Sequence, residues 1–200
     1  MLDGLARRLI DPPLNAAGRW IAGRGIHADQ VTTIGMVCGV LAGAAIAAGS
    51  TFGGLVLILA SRVFDGLDGA VARASTKTDR GGYLDIVFDF IFYGAIPLGF
   101  AIQDPANALP AAVLLFSFYV NGASFLAYAI FAAKRGLTTE NRGQKSLYFT
   151  SGLAEGTETI AVFVAMCLFP AWFSVIALVF AAVCCVTAGS RIALAVKTFN

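Results

Sequence analysis

The stretch from Asp65 to Asp89 reads DGLDGAVARASTKTDRGGYLDIVFD, and it sets Asp65, Asp68, Asp85 and Asp89 at helical spacings inside a chain composed like a membrane protein. Ionisable groups are costly in an apolar span, so an acid there faces a partner, a cavity or a metal, and a functional reading is the default. Asp65 and Asp68 stand at i,i+3 and Asp85 and Asp89 at i,i+4, which puts each pair on one face of its own helix. The polar stretch Ser75-Thr76-Lys77-Thr78-Asp79-Arg80 lies between them. If it turns the chain between two antiparallel helices, the pairs meet at one level on either side of Lys77 and form a single site.

Small residues share the stripe. Asp65, Asp68, Gly69, Ala72 and Arg73 follow one helical face, with Gly69 and Ala72 leaving room for close approach and Arg73 supplying a cation one turn on. Gly81, Asp85 and Asp89 recur every fourth residue on the next helix. Like charges this close, in a poorly hydrated site, need a counter-charge. The donors are all oxygen, which favours Mg²⁺, Mn²⁺ or Ca²⁺ over Zn²⁺. Two ions roughly 3.5–4 Å apart, clamping a transferring phosphoryl group, would be the catalytic use of such a cluster. The structural alternative is a hairpin whose acids pair with Arg62, Arg73 and Arg80, which leaves one acid without a guanidinium.

The pattern Asp65-x-x-Asp68-Gly69-x-x-Ala72-Arg73, then a spacer, then Gly81-x-x-x-Asp85-x-x-x-Asp89 resembles the signature of the CDP-alcohol phosphatidyltransferases, membrane enzymes of phospholipid head-group transfer. Every fixed position is filled. The resemblance implies a phospholipid-synthesis transferase that moves a phosphatidyl or related phosphoalcohol group from a CDP-linked lipid, such as CDP-diacylglycerol, to an acceptor alcohol with release of CMP. By the same resemblance two Mg²⁺ or Mn²⁺ ions sit on Asp65, Asp68, Asp85 and Asp89, and Asp89 is the general base on the acceptor hydroxyl. Gly69, Ala72, Arg73, Thr78 and Gly81 would line the donor nucleotide, and the stretch Asp29-Gln30-Val31-Thr32 would lie near it. Homodimers are usual among the proteins it resembles.

With 58% hydrophobic and 13% charged residues and a mean hydropathy of +0.79, the 200-residue chain is too apolar to cover itself as a soluble domain. The expected fold is an all-α integral membrane protein: six transmembrane helices preceded by an N-terminal interfacial amphipathic helix. Residues 1–28 form the interfacial segment, broken at Pro12-Pro13 and with Trp20 at headgroup level. Residues 29–200 form the catalytic domain, with apolar segments near 31–49, 53–74, 81–102, 108–133, 148–169 and 171–196. Asp29 or Thr32 is expected to cap the first span. Gly35, Gly39, Gly43 and Ala47 make a small-residue face for helix packing. No secretory signal is expected, and Cys38, Cys167, Cys184 and Cys185 read as packing residues.

Basic residues set the orientation. Arg7, Arg8, Arg19 and Arg24 precede the first span, Lys77 and Arg80 follow the second, Lys134, Arg135, Arg142 and Lys145 follow the fourth, and Lys197 follows the sixth. The opposite loops carry none. Both termini are therefore expected in the cytoplasm, with the acids opening to that side of a bacterial inner (cell) membrane. Arg191, inside the last apolar span, together with Lys134, Arg135, Arg142 and Lys145, suggests an anion pocket for a phosphorylated acceptor. Glu155 and Glu158 offer an alternative: they pair with Arg191, or they favour a polyol or cationic acceptor. A divalent-cation transporter is the competing function, but ion passage does not require Gly69, Ala72, Arg73 and Gly81 at those spacings. No Walker loop or nucleic-acid module appears, so membrane lipids and a small alcohol, not nucleic acid, are the expected partners.

Overall fold

The computed structural model describes residues 3–137 and 153–199, and among them the secondary structure is helical. The elements are α1 (Asp3–Ala22), α2 (Ala28–Ala47), α3 (Thr51–Ala74), α4 (Asp79–Gln103), α5 (Ala108–Lys134), α6 (Gly156–Leu168) and α7 (Phe173–Phe199), with short 3₁₀ turns at Pro105–Asn107 and Pro170–Trp172. This is an all-α integral membrane protein with several long apolar helices. Four segments are long and apolar enough to cross a bilayer: Ala28–Ala47, Asp79–Gln103, Pro105–Lys134 and Pro170–Phe199. Two of the expected spans differ. Helix α3 is 24 residues long, but Arg62, Asp65, Asp68 and Arg73 dilute its hydropathy. Helix α6 has 13 residues, about 20 Å at 1.5 Å per residue, which is short of a hydrocarbon core.

The N-terminal segment also departs from expectation, because α1 runs through Pro12 and Pro13 as one helix. Proline removes a backbone donor and crowds the preceding turn, yet its φ is compatible with a helix. Tertiary packing holds the second half in line. Leu14 lies over Gly66, where a Cβ would come within 2.8 Å of its Cδ1, and Gly18 lies on Ala70, where a Cβ would come within 2.6 Å. The apolar stripe of α1 is thus spent partly on α3. Trp20 remains exposed beneath the Arg24 guanidinium, 3.5 Å from the ring centroid.

Helix α2 begins at Ala28 with His27, not Asp29 or Thr32, at its N-cap, and Gln30 Oε1 accepts the His27 N–H at 3.0 Å in a capping box. It ends at Ala47, and Gly49 just beyond has a φ of 86° that suits a residue with no Cβ. Between these ends α2 packs closely on α3 and α4. Gly35 faces Phe64 and Ser61, Gly39 faces Phe92, and Gly43 meets the backbone of Ala95 and of Gly99, so the small-residue face brings three helices together. The contact also fixes register: α3 and α4 are held antiparallel, with Thr78 capping α4 through a 3.0 Å bond from Gly81 N–H.

Helices α5 and α7 form a second pair, which α4 joins to the first. Its ends are tied. Ser174 Oγ donates to Asn107 Oδ1 at 3.1 Å, and at the other end Arg135 donates to the carbonyls of Thr198 and Phe199 at 3.1 and 2.6 Å. The buried core between the pairs is aromatic, with Phe92, Tyr93, Phe118 and Phe163 in mutual edge or tilted contact and Phe100 stacked on Phe173. Cys167 and Cys184 are buried, and Cys185 is exposed.

Candidate active site

The hairpin α3–α4 brings the acids to one level. Asp65, Asp68 and Asp85 each offer a carboxylate oxygen within 4.8 Å of the others, as a shared cation requires. Asp68 is buried at 6% exposure, and its Oδ2 has no hydrogen-bond partner. A buried carboxylate oxygen aimed at two other carboxylates is a donor prepared for a metal. An oxygen-only set suits a hard divalent ion, so the residues fit one. Asp89 completes the group differently: its Oδ1 accepts from Arg62 Nη1 at 2.8 Å, and the same nitrogen lies 3.5 Å from Asp65 Oδ1.

Two cavities open on either side of the acids. A cleft of about 660 Å³ lies between the N-terminal end of α2 and the α3–α4 turn. Asp68 and Asp85 form its floor, and Asp29, Gln30, Thr32, Gly69, Ala72, Arg73, Thr78 and Gly81 line its walls. These expected donor-binding residues are gathered in one place by the fold. Val31 is buried in α2 and does not line the cleft. Gly81 has no side chain to spare there, since a Cβ would sit 3.1 Å from Asp29 Oδ1 and 3.2 Å from Thr78 Oγ1. Arg73 is aimed by Asn15, whose Oδ1 accepts from Nε and Nη2 at 3.2 and 3.0 Å, and Arg80 pairs with Asp29 at 3.4 Å. Of the guanidiniums considered as partners for the acids, Arg62 alone takes that place.

The second cavity, of about 330 Å³, lies among α4, α5, α6 and α7, and both Asp89 and Arg191 line it. Arg191 is 6% exposed and donates through Nη1 to Asn121 O, Asn121 Oδ1 and Ser124 Oγ at 3.0, 2.8 and 3.1 Å. Its Nε is buried with no hydrogen-bond partner, and Glu155 and Thr159 share the cavity. The other basic residues expected here go elsewhere. Arg135 caps the end of α7, Lys134 is exposed at the end of α5, and neither lines the cavity. Arg142 and Lys145 lie outside the described residues.

Sequence reasoning missed Asn121, Ser61 and Asn15. Asn121 had a signal, as an amide inside an apolar span. Ser61 and Asn15 had none, because each matters only through a contact made across the fold.

Asp68 and Asp85 thus line a cleft, and Asp89 lines a separate cavity with Arg191. The chain belongs to the CDP-alcohol phosphatidyltransferase family, whose model matches residues 26–189. It is an enzyme of that family, a transferase of phospholipid biosynthesis with an acidic cluster able to hold divalent metal. It is 46% identical over 193 residues to the inner membrane protein YnjF of Escherichia coli, covering 96% of this chain and 94% of that one. Archaetidylinositol phosphate synthase of Methanothermobacter thermautotrophicus is 40% identical over 95 residues, 46% of this chain and 45% of that protein. The fold matches Mycobacterium tuberculosis phosphatidylinositol phosphate synthase, solved with CDP-DAG bound, at a TM-score of 0.73 and 23% identity, covering 91% of this chain and 92% of that one. Family membership supports the transferase reading over cation transport.

Proposed function

We propose that the chain transfers a phosphatidyl group from CDP-diacylglycerol to a small phosphorylated polyol and releases CMP. The observation that carries this reading is the position of the acids between the two cavities, with Asp68 and Asp85 towards the cleft and Asp89 towards the Arg191 cavity. The cytidine diphosphate would occupy the cleft, with Arg73 and the groups at the start of α2 on its phosphates and nucleoside. Asp65, Asp68 and Asp85, with Asp89 sharing, would hold two Mg²⁺ or Mn²⁺ ions whose charge offsets that developing at phosphorus and on the departing CMP.

On the other side Asp89 takes the proton of the acceptor hydroxyl as its oxygen bonds to the lipid-side phosphorus and the bond to CMP breaks. Arg191, already aimed by Asn121 and Ser124, binds the acceptor's phosphate in a charge-assisted fork. The likeness to synthases named for inositol phosphate lipids supports glycerol phosphate or inositol phosphate as the acceptor class. The test is an acceptor screen with CDP-diacylglycerol, scoring CMP release and the lipid formed. Product with a phosphorylated polyol supports the assignment, and a preferred acceptor without phosphate removes it.

The topology is part of the proposal. The proposed arrangement has six crossings, with the fifth apolar segment, near 148–169, extending beyond the 13 residues of α6; α1 within residues 1–28 lies at the interface, and residues 29–200 form the catalytic domain. Both termini and the cleft face the cytoplasm in this arrangement, as the basic residues flanking the spans favour. The similarity to an Escherichia coli inner membrane protein supports a bacterial inner membrane, and a homodimer is the expected assembly. In a background without native cysteines, Lys77→Cys should react with impermeant reagents only from the cytoplasmic side, and Asn107→Cys only from the other. The reverse pattern would overturn this orientation.

A further inference from the structure

Arg62 belongs to neither cavity, and its surroundings fix it independently of the acids. Its Nη2 donates to Ser61 Oγ at 3.2 Å, and Ser61 in turn donates to Gly35 O at 2.8 Å, which sets the direction of the hydroxyl. The guanidinium carbon lies 3.9 Å from the centroid of Phe92, a ring with no exposed surface. Gly39 makes room for that arrangement, since a Cβ there would meet Phe92 at 2.7 Å and Ser61 Oγ at 3.3 Å. Groups from α2, α3 and α4 thus hold a cation, 12% exposed, on the core side of the acids.

The four carboxylates divide between two kinds of positive charge. Asp65, Asp68 and Asp85 converge on one point, while Asp89 is engaged by Arg62 and Asp65 lies within reach of both. The void bounded by these acids and Arg62 measures about 10 Å³. That is roughly one water-sized sphere, so the space between Arg62 and these acids is narrow. A second ion sharing Asp65 and Asp89 has to draw both away from a fixed guanidinium.

We propose that Arg62 is an internal counter-ion for Asp89 that competes with the second divalent ion, so that the site takes its two ions in sequence. This rests on the two-ion reading given above. The first ion binds the Asp65–Asp68–Asp85 set directly. The second binds tightly only when the charge of a donor diphosphate in the cleft helps to offset the loss of the Arg62 pairing. Arg62 is a positioning residue in this scheme: it holds the Asp89 carboxylate oriented until donor arrives.

The test is Mn²⁺ titration of the full chain in detergent micelles, without nucleotide, following free Mn²⁺ by electron paramagnetic resonance. Wild type should bind one ion tightly and a second at least about tenfold more weakly, and Arg62→Gln should tighten the second by about tenfold or more, beyond any change in the first. Arg62→Lys, which keeps the charge and loses the fork, should fall between them, and it serves as the informative variant if Arg62→Gln does not fold. Two equally tight ions in wild type, or a second ion no tighter in the variants, would overturn the proposal while leaving the metal site standing. No Mn²⁺ binding by wild type would overturn the metal reading as well.

Discussion

The cleft and the Arg191 cavity reach different members of the acid cluster, Asp68 and Asp85 in the cleft and Asp89 in the cavity, and they are walled differently. The cleft takes its walls from the start of α2 and the adjoining ends of α3 and α4, and charged and hydroxyl side chains such as Asp29, Arg73 and Thr78 line it beside Gly69 and Gly81. The cavity draws on four helices, and aromatic rings such as Tyr93, Phe118 and Phe125 surround a few polar groups. A site that receives a diphosphate needs hydrogen-bond donors and room for backbone approach. A site that selects one small alcohol needs a shaped apolar wall with few, fixed polar contacts. On the proposed function, the first region takes the donor and the second selects the acceptor.

The comparison breaks most completely at the acids. Asp68→Asn or Asp85→Asn removes a cation ligand from the cleft floor, and turnover should fall on the order of 10²–10³-fold or more. Divalent-ion binding should weaken in parallel. Activity that survives in chelator would end the metal account. Asp89→Asn acts from the cavity side, with an expected loss on the order of 10²–10⁴-fold in turnover while donor binding is retained. Near-normal turnover in that variant would mean that Asp89 is not the base.

A smaller effect sharpens the cleft. Gly81→Ala places a methyl group 3.1 Å from Asp29 Oδ1 and 3.2 Å from Thr78 Oγ1. Those side chains must give by a few tenths of an ångström, so the donor KM should rise by only about threefold to tenfold, with the acceptor KM unchanged. An equal change for both substrates in steady-state assays would show that the cleft does not discriminate between them.

These two regions were not equally legible in the sequence. The acid side of the cleft follows from Asp65 to Asp89 because its acids and small residues are spaced by the helical repeat on α3 and α4, while α2, on which both helices pack, adds the facing wall. Asp89 and Arg191 share a cavity only through α4, α5, α6 and α7 packing together, which no spacing encodes. Charge alone misplaced Arg135, whose guanidinium serves the carbonyl end of α7, where helix dipole and unpaired carbonyls attract a cation. Hydropathy likewise marked α3 as a span without showing that its charges set it apart from the four helices apolar enough to cross a bilayer. Pro12 and Pro13 signalled a break, and the packing of Leu14 and Gly18 on α3 overrode it.

If donor and acceptor bind on opposite sides of one acid cluster, two arginine substitutions should separate their effects. Steady-state KM values for CDP-diacylglycerol and for the phosphorylated acceptor should be measured in Arg73→Ala and Arg191→Ala. Arg73→Ala should raise the donor KM alone. Arg191→Ala should raise the acceptor KM by about tenfold or more, as the loss of charge-assisted hydrogen bonds implies, and leave the donor KM within about twofold. Both variants weakening the same substrate, or each weakening both equally, would contradict the two-sided site.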